Sequence, residues 1–307
     1  MSILIINFNE PSLVTMLQIN ASIAKHNKRI WCAFRTQHLY HYNAECVLTE
    51  LDSDFEPISD KKLIAENNNT AFEDIRLFSF KDKLLAFYNY LPFTENAGWR
   101  IQYGTGFGEV DTETGLIKNQ TSLRGLAKRW DEKNWSPYIF NGELFMVTDF
   151  DPFLRVIKIN YNEDAITAGE IFTSVEKTAG WSYGELRGGT PLLAEPNTTD
   201  QWLYGFIHSF LPNEQGFKRY YYYTVVRYSH RDRHFEYHRN PLPYIDEEPD
   251  DEYEMLWKRS NGKHCKVIFP IGIMHHDQGV MVSFGKDDVS SYTEYFSWDR
   301  IKNLFNE

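Results

Sequence analysis

The sequence predicts an all-β chain, a five-bladed β-propeller with short terminal helical segments, built as one domain over residues 1–307. Three observations carry that expectation. Apolar residues rarely recur at helical spacing. Aromatic and β-branched runs separated by turn residues fill most of the chain. One hairpin layout returns five times along it.

In chain order, residues 9–17 (NEPSLVTML) give the first short helix signal. Residues 297–305 (SWDRIKNLF) give the last, with Ser-Trp-Asp as a capping start. Turns are expected at residues 26–28, at Asn141-Gly142 and at residues 277–279. The repeats are residues 20–35 (NASIAKHNKRIWCAFR), 72–90 (FEDIRLFSFKDKLLAFYNY), 133–151 (KNWSPYIFNGELFMVTDFD), 187–209 (RGGTPLLAEPNTTDQWLYGFIHS) and 267–288 (VIFPIGIMHHDQGVMVSFGKDD). Each runs from a short polar motif through apolar residues and a tight turn to an apolar strand with a polar end. Their starts lie 52 to 80 residues apart, against roughly 40–50 for known propeller blades, which leaves room for insertions.

Propeller blades pack radially, and their inner strands line a central channel. The polar motif of every repeat then falls at the same end of that channel. Asn20, Arg35, Glu73, Asp74, Arg76, Lys133, Asn134, Arg187, His208 and Asp288 are expected to converge there although the sequence scatters them. The alternative makes them turn and cap residues of a β-sandwich, which gives no reason for fivefold recurrence.

Composition narrows the partners. The formal net charge is −11 and no basic block is present, so a nucleic-acid backbone is a poor ligand. Aromatic residues make up 16% of the chain, enough for a sizeable core. Three cysteines, Cys32, Cys46 and Cys265, form no CxxC pair, which excludes a disulfide-dense scaffold and favours a reducing, cytoplasmic location. No run approaches 18 apolar residues and the start carries no basic leader, so neither a membrane span nor a secretory signal is expected.

Several motifs can carry chemistry. Glu73-Asp74-Ile75-Arg76 heads a strand-like run, and strand alternation would put Asp74 and Arg76 on one face. A carboxylate beside a guanidinium in a polar cleft can act as a general acid or grip hydroxyls, and is otherwise a surface ion pair. Lys133 and Asn134, preceded by Arg124, Lys128 and Arg129, form the local basic cluster. It suits phosphate or a sugar carboxylate, or is a solvated loop. Arg187-Gly188-Gly189-Thr190 lacks a dinucleotide or P-loop frame, and its glycines fit close backbone approach near an axis. His208 ends an apolar strand, as a channel donor or a core histidine. Cys32 reads as core. No zinc-protease or GxSxG pattern occurs, and no metal site is expected. Residues 246–254 (DEEPDDEYE) read as a solvated acidic loop, with calcium binding as the alternative. The tyrosine block 220–223 could stack on sugar rings.

The order of these motifs resembles glycoside hydrolase family 130, five-bladed propellers that are mostly inverting phosphorylases of β-mannosides, with some hydrolases. Asn20-Ala21-Ser22 with Arg35 is similar to the family's opening, and Glu73-Asp74-Ile75-Arg76 to its Glu-Asp-Pro-Arg signature, with Ile75 replacing the proline. Lys133-Asn134 resembles the lysine motif of the third blade. Gly188-Gly189-Thr190-Pro191 with His208 resembles the fourth-blade glycine-proline motif, Tyr253-Glu254 a Tyr-Glu of the family, and Phe284-Gly285 to Asp288 the last-blade motif.

The resemblance implies an inverting glycoside phosphorylase or glycosidase for mannoside-type glycans. Asp74 would be the proton donor. Asn20, Arg35, Glu73, Arg76, Asn134, Arg187 and Asp288 would bind sugar, and Lys133, His208 and Arg129 would bind phosphate. No cofactor is implied beyond inorganic phosphate as co-substrate. The expected partner is an oligosaccharide or sugar phosphate, and a homo-oligomer is compatible with the sequence. The alternatives are a glycosyltransferase using an activated sugar and a catalytically silent glycan-binding propeller.

Overall fold

The five repeats become the inner hairpins of five sheets. The structure is a computed structural model that describes residues 3–5, 16–38, 44–65, 70–92, 104–123, 134–162, 165–177, 180–198, 201–212, 219–243, 264–287 and 290–306. Blade 1 orders Met16–His26, Arg29–His38, Ala44–Leu51 and Pro57–Lys62 from the inside out. Blade 2 orders Thr70–Phe80, Lys83–Pro92, Gly104–Val110 and Leu116–Ser122, with Ile64–Ala65 added in parallel at its edge. Blade 3 is Ser136–Phe140, Glu143–Asp149, Phe153–Asn162 and Ala165–Lys177. Blade 4 is Leu193–Ala194, Trp202–Pro212, Arg219–Ser229 and His234–Tyr237, with His264–Lys266 also paired to its third strand. Blade 5 is Ile268–His276, Gly279–Lys286 and Ser290–Ser297, and the N-terminal strand Ile3–Ile5 completes it by pairing with residues 292–294.

Both faces of each blade are apolar, and the core is divided accordingly into five clusters, one at every seam. Ala24, Trp31 and Leu48 meet Ile75, Leu84 and Ile117 between blades 1 and 2. Phe87 and Phe107 meet Trp135 and Ile157 between blades 2 and 3. Tyr138 and Val156 meet Leu203 and Tyr228 at the next seam, and Phe206 and Val225 meet Val282 and Phe284 at the one after. Ala21, Ile23 and Phe34 meet Met274 and Met281 where blade 5 returns to blade 1. Buried hydroxyls cross these seams as well. Ser22 Oγ accepts from Leu77 N–H at 3.0 Å, Ser136 Oγ from Gly189 N–H at 3.3 Å and Ser291 Oγ from Ala21 N–H at 3.1 Å.

The predicted turns form. Asn27-Lys28 and Asn141-Gly142 both hold two successive positive φ angles, the type I′ geometry that suits a twisted hairpin. The C-terminal helix forms at Trp298–Asn303, capped by Ser297, whose side chain accepts from Arg300 N–H at 3.2 Å. At the other end the expectation fails in part. Met16 and Leu17 belong to the inner strand of blade 1, paired with His38 and Gln37, because ladder pairing outweighs a short periodic pattern. Residues 9–15 lie outside the described residues. Among the described residues no helix is long and apolar enough to cross a membrane.

Candidate functional site

The inner strands all begin at one end of the channel, and three of them share a local distortion there. The ladder shifts between Ile19 and Ser22 in blade 1, between Glu73 and Arg76 in blade 2, and between Pro270 and Gly272 in blade 5. Asn20 and Asp74 sit in the first two shifts with φ of 58° and 50°, and Asn134 ahead of blade 3 has φ of 70°. Asn and Asp are the side-chain-bearing residues that best tolerate this left-handed region. An inserted residue re-aims its neighbours, so the simple alternation expected for the Glu73–Arg76 stretch does not hold. The Asp74 carboxylate turns toward blade 1, while Arg76 reaches toward blades 3 and 4.

These distortions gather one buried polar network. Asp74, 6% exposed, accepts from Asn20 Nδ2 at 2.6 Å on one carboxylate oxygen and from Asn89 Nδ2 at 3.2 Å on the other. Arg76, 2% exposed, donates from Nε to the Gly189 carbonyl at 2.6 Å. Its two terminal nitrogens donate to the Asp74 carbonyl at 2.9 Å and to Asn134 Oδ1 at 3.0 Å. The guanidinium also lies 5.5 Å from the centre of the Phe269 ring in blade 5. Burial lowers the Arg76 pKa to about 10, with Asp74 opposing the shift, so the group stays cationic at neutral pH. Blades 1 to 5 all touch this network.

Above the network the polar groups are more open. Arg35 donates to Glu73 at 3.1 Å, with side-chain exposures of 14% and 20%. Arg187 lies 3.8 Å from Glu185 and with its guanidinium 5.1 Å from the Phe210 ring centre. Its backbone pairs with that of His208. The His208 imidazole is buried, 4.6 Å from the Phe269 ring and stacked on Tyr221 at 5.9 Å. Asn20, Asp74, Arg76, Asn134, Arg35, Glu73, Arg187 and His208 thus all come to one end of the channel. Lys133, Arg129 and Asp288 lie outside the described residues, as do Arg124, Lys128, Tyr253, Glu254 and the acidic run 246–254.

The glycines do what close packing near the axis requires. A Cβ on Gly188 would sit 1.8 Å from the Asn134 carbonyl oxygen, and one on Gly189 2.2 Å from the Phe206 carbonyl oxygen. Gly188→Ala is therefore expected to destabilise by about 1–3 kcal/mol, read as a lowered urea midpoint at unchanged slope. Gly285 meets Asn20 in the same way, at 1.9 Å from its Oδ1.

One residue was missed by motif reading. Asn89 holds the second oxygen of Asp74 and also reaches Asn134 Oδ1 at 3.4 Å. The available signal was a single amide inside an apolar, aromatic strand (LLAFYNY) directly opposite Glu73. Cys46 lies close enough to feel Arg35 and Asp74, yet burial dominates and pushes its thiol up to about 12. In native protein at pH 8 Cys32 and Cys46, both buried, are expected to resist a disulfide reagent and to react only after unfolding.

At the opposite end of the channel a cavity of about 500 Å³ is lined mainly by apolar residues, among them Leu77, Ile139, Leu193 and Ile273. It is remote from Asp74, since it uses the turn-side halves of the same inner strands.

No protein-family model matches the chain, and no curated protein matches it in sequence. Solved structures do match in fold. A GDP-Man-dependent mannosyltransferase from Leishmania mexicana is 13% identical, with 97% of this chain and 90% of that one covered and a TM-score of 0.64. The β-1,2-mannobiose phosphorylase from Listeria innocua is 12% identical over 97% and 95% of the two chains, with a TM-score of 0.61. A structure from a study of glycoside hydrolase family 130 enzymes, including hydrolases that target β-1,2-mannosidic linkages, is 12% identical over 92% and 85%, with a TM-score of 0.57. The chain has the five-bladed propeller fold of these proteins.

Proposed function

We propose that the chain is a carbohydrate-active enzyme that cleaves or forms a glycosidic bond with inversion, most simply a phosphorylase of a mannoside-type glycan. The observation that carries the reading is Asp74, buried at the channel end with both carboxyl oxygens held by amides and the Arg76 side chain packed beside it. The fold shared with mannoside phosphorylases, hydrolases and a mannosyltransferase supports it.

In this reading Asp74 donates a proton to the departing glycosidic oxygen, directly or through a sugar hydroxyl. Asn20, Arg35, Glu73, Arg76, Asn134, Arg187 and Asp288 bind and orient the sugar. An inverting hydrolase needs a second carboxylate to activate water. The Lys133 and His208 motifs favour phosphate, an anion that needs no deprotonation, over water as the attacking group. Lys133, Arg129 and His208 are the residues proposed to hold it. Starting from protonated Asp74, a phosphate oxygen bonds to the anomeric carbon as the bond from that carbon to the leaving sugar's oxygen breaks. The leaving oxygen takes the Asp74 proton, and the carboxylate left behind is the form that Asn20 and Asn89 hold.

A second reading, transfer from an activated sugar, is favoured by the likeness to the GDP-Man-dependent enzyme. Purified protein should be given sugar 1-phosphates, including mannose 1-phosphate, or GDP-mannose, each with mixed acceptor sugars. Phosphate release with a matching disaccharide is the expected result. Product from GDP-mannose alone would replace phosphorolysis with transfer, and silence in both arms would overturn both in favour of a hydrolase or a binding propeller.

A further inference from the structure

Blade 4 carries a row of aromatic rings that the chemistry above does not use. Trp181 and Tyr183 lie on the segment entering blade 4, Tyr222 on its third strand and Tyr237 on its outer strand. All four are half-buried. Their ring centres follow one another at 5.8 Å from Tyr237 to Trp181, 5.0 Å to Tyr183 and 4.8 Å to Tyr222.

The row begins beside the polar network. Tyr183 is four residues before Arg187 in the chain, and Tyr222 pairs across the ladder with Ser209, the neighbour of His208. It is also fixed before any ligand arrives. The Trp181 indole N–H donates to Ser209 Oγ at 2.8 Å, and that hydroxyl donates to the Tyr183 carbonyl at 2.7 Å. Gly184, at φ of 101°, brings the segment so close to blade 4 that a Cβ would lie 2.1 Å from the Phe210 carbonyl oxygen. Arg187 and Arg219 both pack on the Phe210 ring, at 5.1 and 4.6 Å, and bring guanidinium donors to the same rim.

A pyranose has a face of C–H groups and an edge of hydroxyls. The face settles on the electron-rich face of an aromatic ring, and the edge takes hydrogen bonds from arginine. Rigid rings give such contact at little ordering cost. We propose that Trp181, Tyr183 and Tyr222 form an extended sugar-stacking subsite on the rim of blade 4, which takes the units of an oligosaccharide beyond those held at Asp74. Tyr237 buttresses Trp181. The proposal rests on the carbohydrate reading of the site and names its substrate as longer than a disaccharide.

Calorimetry on the full-length Asp74→Asn protein, with manno-, gluco- and xylo-oligosaccharides of two and five units, tests it. In the recognised series the pentamer should bind at least tenfold more tightly than the dimer. Trp181→Ala and Tyr183→Ala should each remove most of that gain, with the loss confined to the longer sugar, and Trp181→Phe should restore it. Equal affinity for dimer and pentamer, an equal loss for both in the alanine variants, or no binding in any series overturns the subsite. The two proposals fail separately. Length-dependent binding with no turnover by the wild type sinks the enzymatic reading alone, and turnover without length dependence sinks the subsite alone.

Discussion

Asp74→Asn is expected to lower turnover by about 10²–10⁴-fold, the contribution of one positioned proton donor, while the protein stays folded. The substitution preserves shape at a buried position where the carboxylate accepts from Asn20 and Asn89. An amide there can still accept on one side, and the partner on the other side can rotate to present its own oxygen. What the amide cannot do is give up a proton to a leaving sugar. Initial rates together with a thermal melt separate the two effects. A variant that keeps more than a tenth of wild-type turnover would remove Asp74 from the donor role.

Arg76→Met is expected to act first on the fold. The side chain is buried and donates to acceptors from three blades: the Gly189 carbonyl, the Asp74 carbonyl and Asn134 Oδ1. Methionine fills comparable space but leaves the buried Gly189 and Asp74 carbonyls without the Arg76 donor. Each buried acceptor left unsatisfied costs about 1–3 kcal/mol, so the urea midpoint should fall. Arg76→Lys keeps the charge and loses the planar fork, and should recover much of the stability. A midpoint for Arg76→Met within experimental error of wild type would show that the network does not bind the blades together.

The same residues show what could be read from sequence and what could not. The five hairpins were legible because a propeller repeats one physical problem, a strand that must be polar at one end and apolar on both faces. Recurrence of that pattern at 20, 72, 133, 187 and 267 fixed which ends would meet. Within the site, Asp74 and Arg76 were legible as a pair, but their directions were not. A ladder shift with positive φ at Asp74 leaves no mark in hydrophobic alternation, and it points the two side chains to different blades. Asn89 belongs to the second strand rather than the innermost one, so a search confined to the motif at the head of each repeat passes over it. The aromatic row on blade 4 draws on residues 181, 183, 222 and 237, of which only the first two are close in sequence. The packing of the entering segment on the sheet makes the rest neighbours.

The strand Ile3–Ile5 fastens blade 5 by pairing with residues 292–294, so among the described residues a three-residue clasp closes the ring. Behind that clasp, the seam from blade 5 to blade 1 is the one where Gly285 packs on Asn20 and Ser291 accepts from Ala21. Asn20 in turn holds Asp74. On the proposed reading, a sugar seated at Asp74 would rest against the residue that packs across that seam, and would work as a removable rivet. At a ligand concentration a hundredfold above the dissociation constant, its occupancy adds about 2.7 kcal/mol against any opening that dismantles the site. On that reading, resistance to unzipping from the N-terminal end would become a property the bound sugar confers, greatest at saturation and least in the free protein.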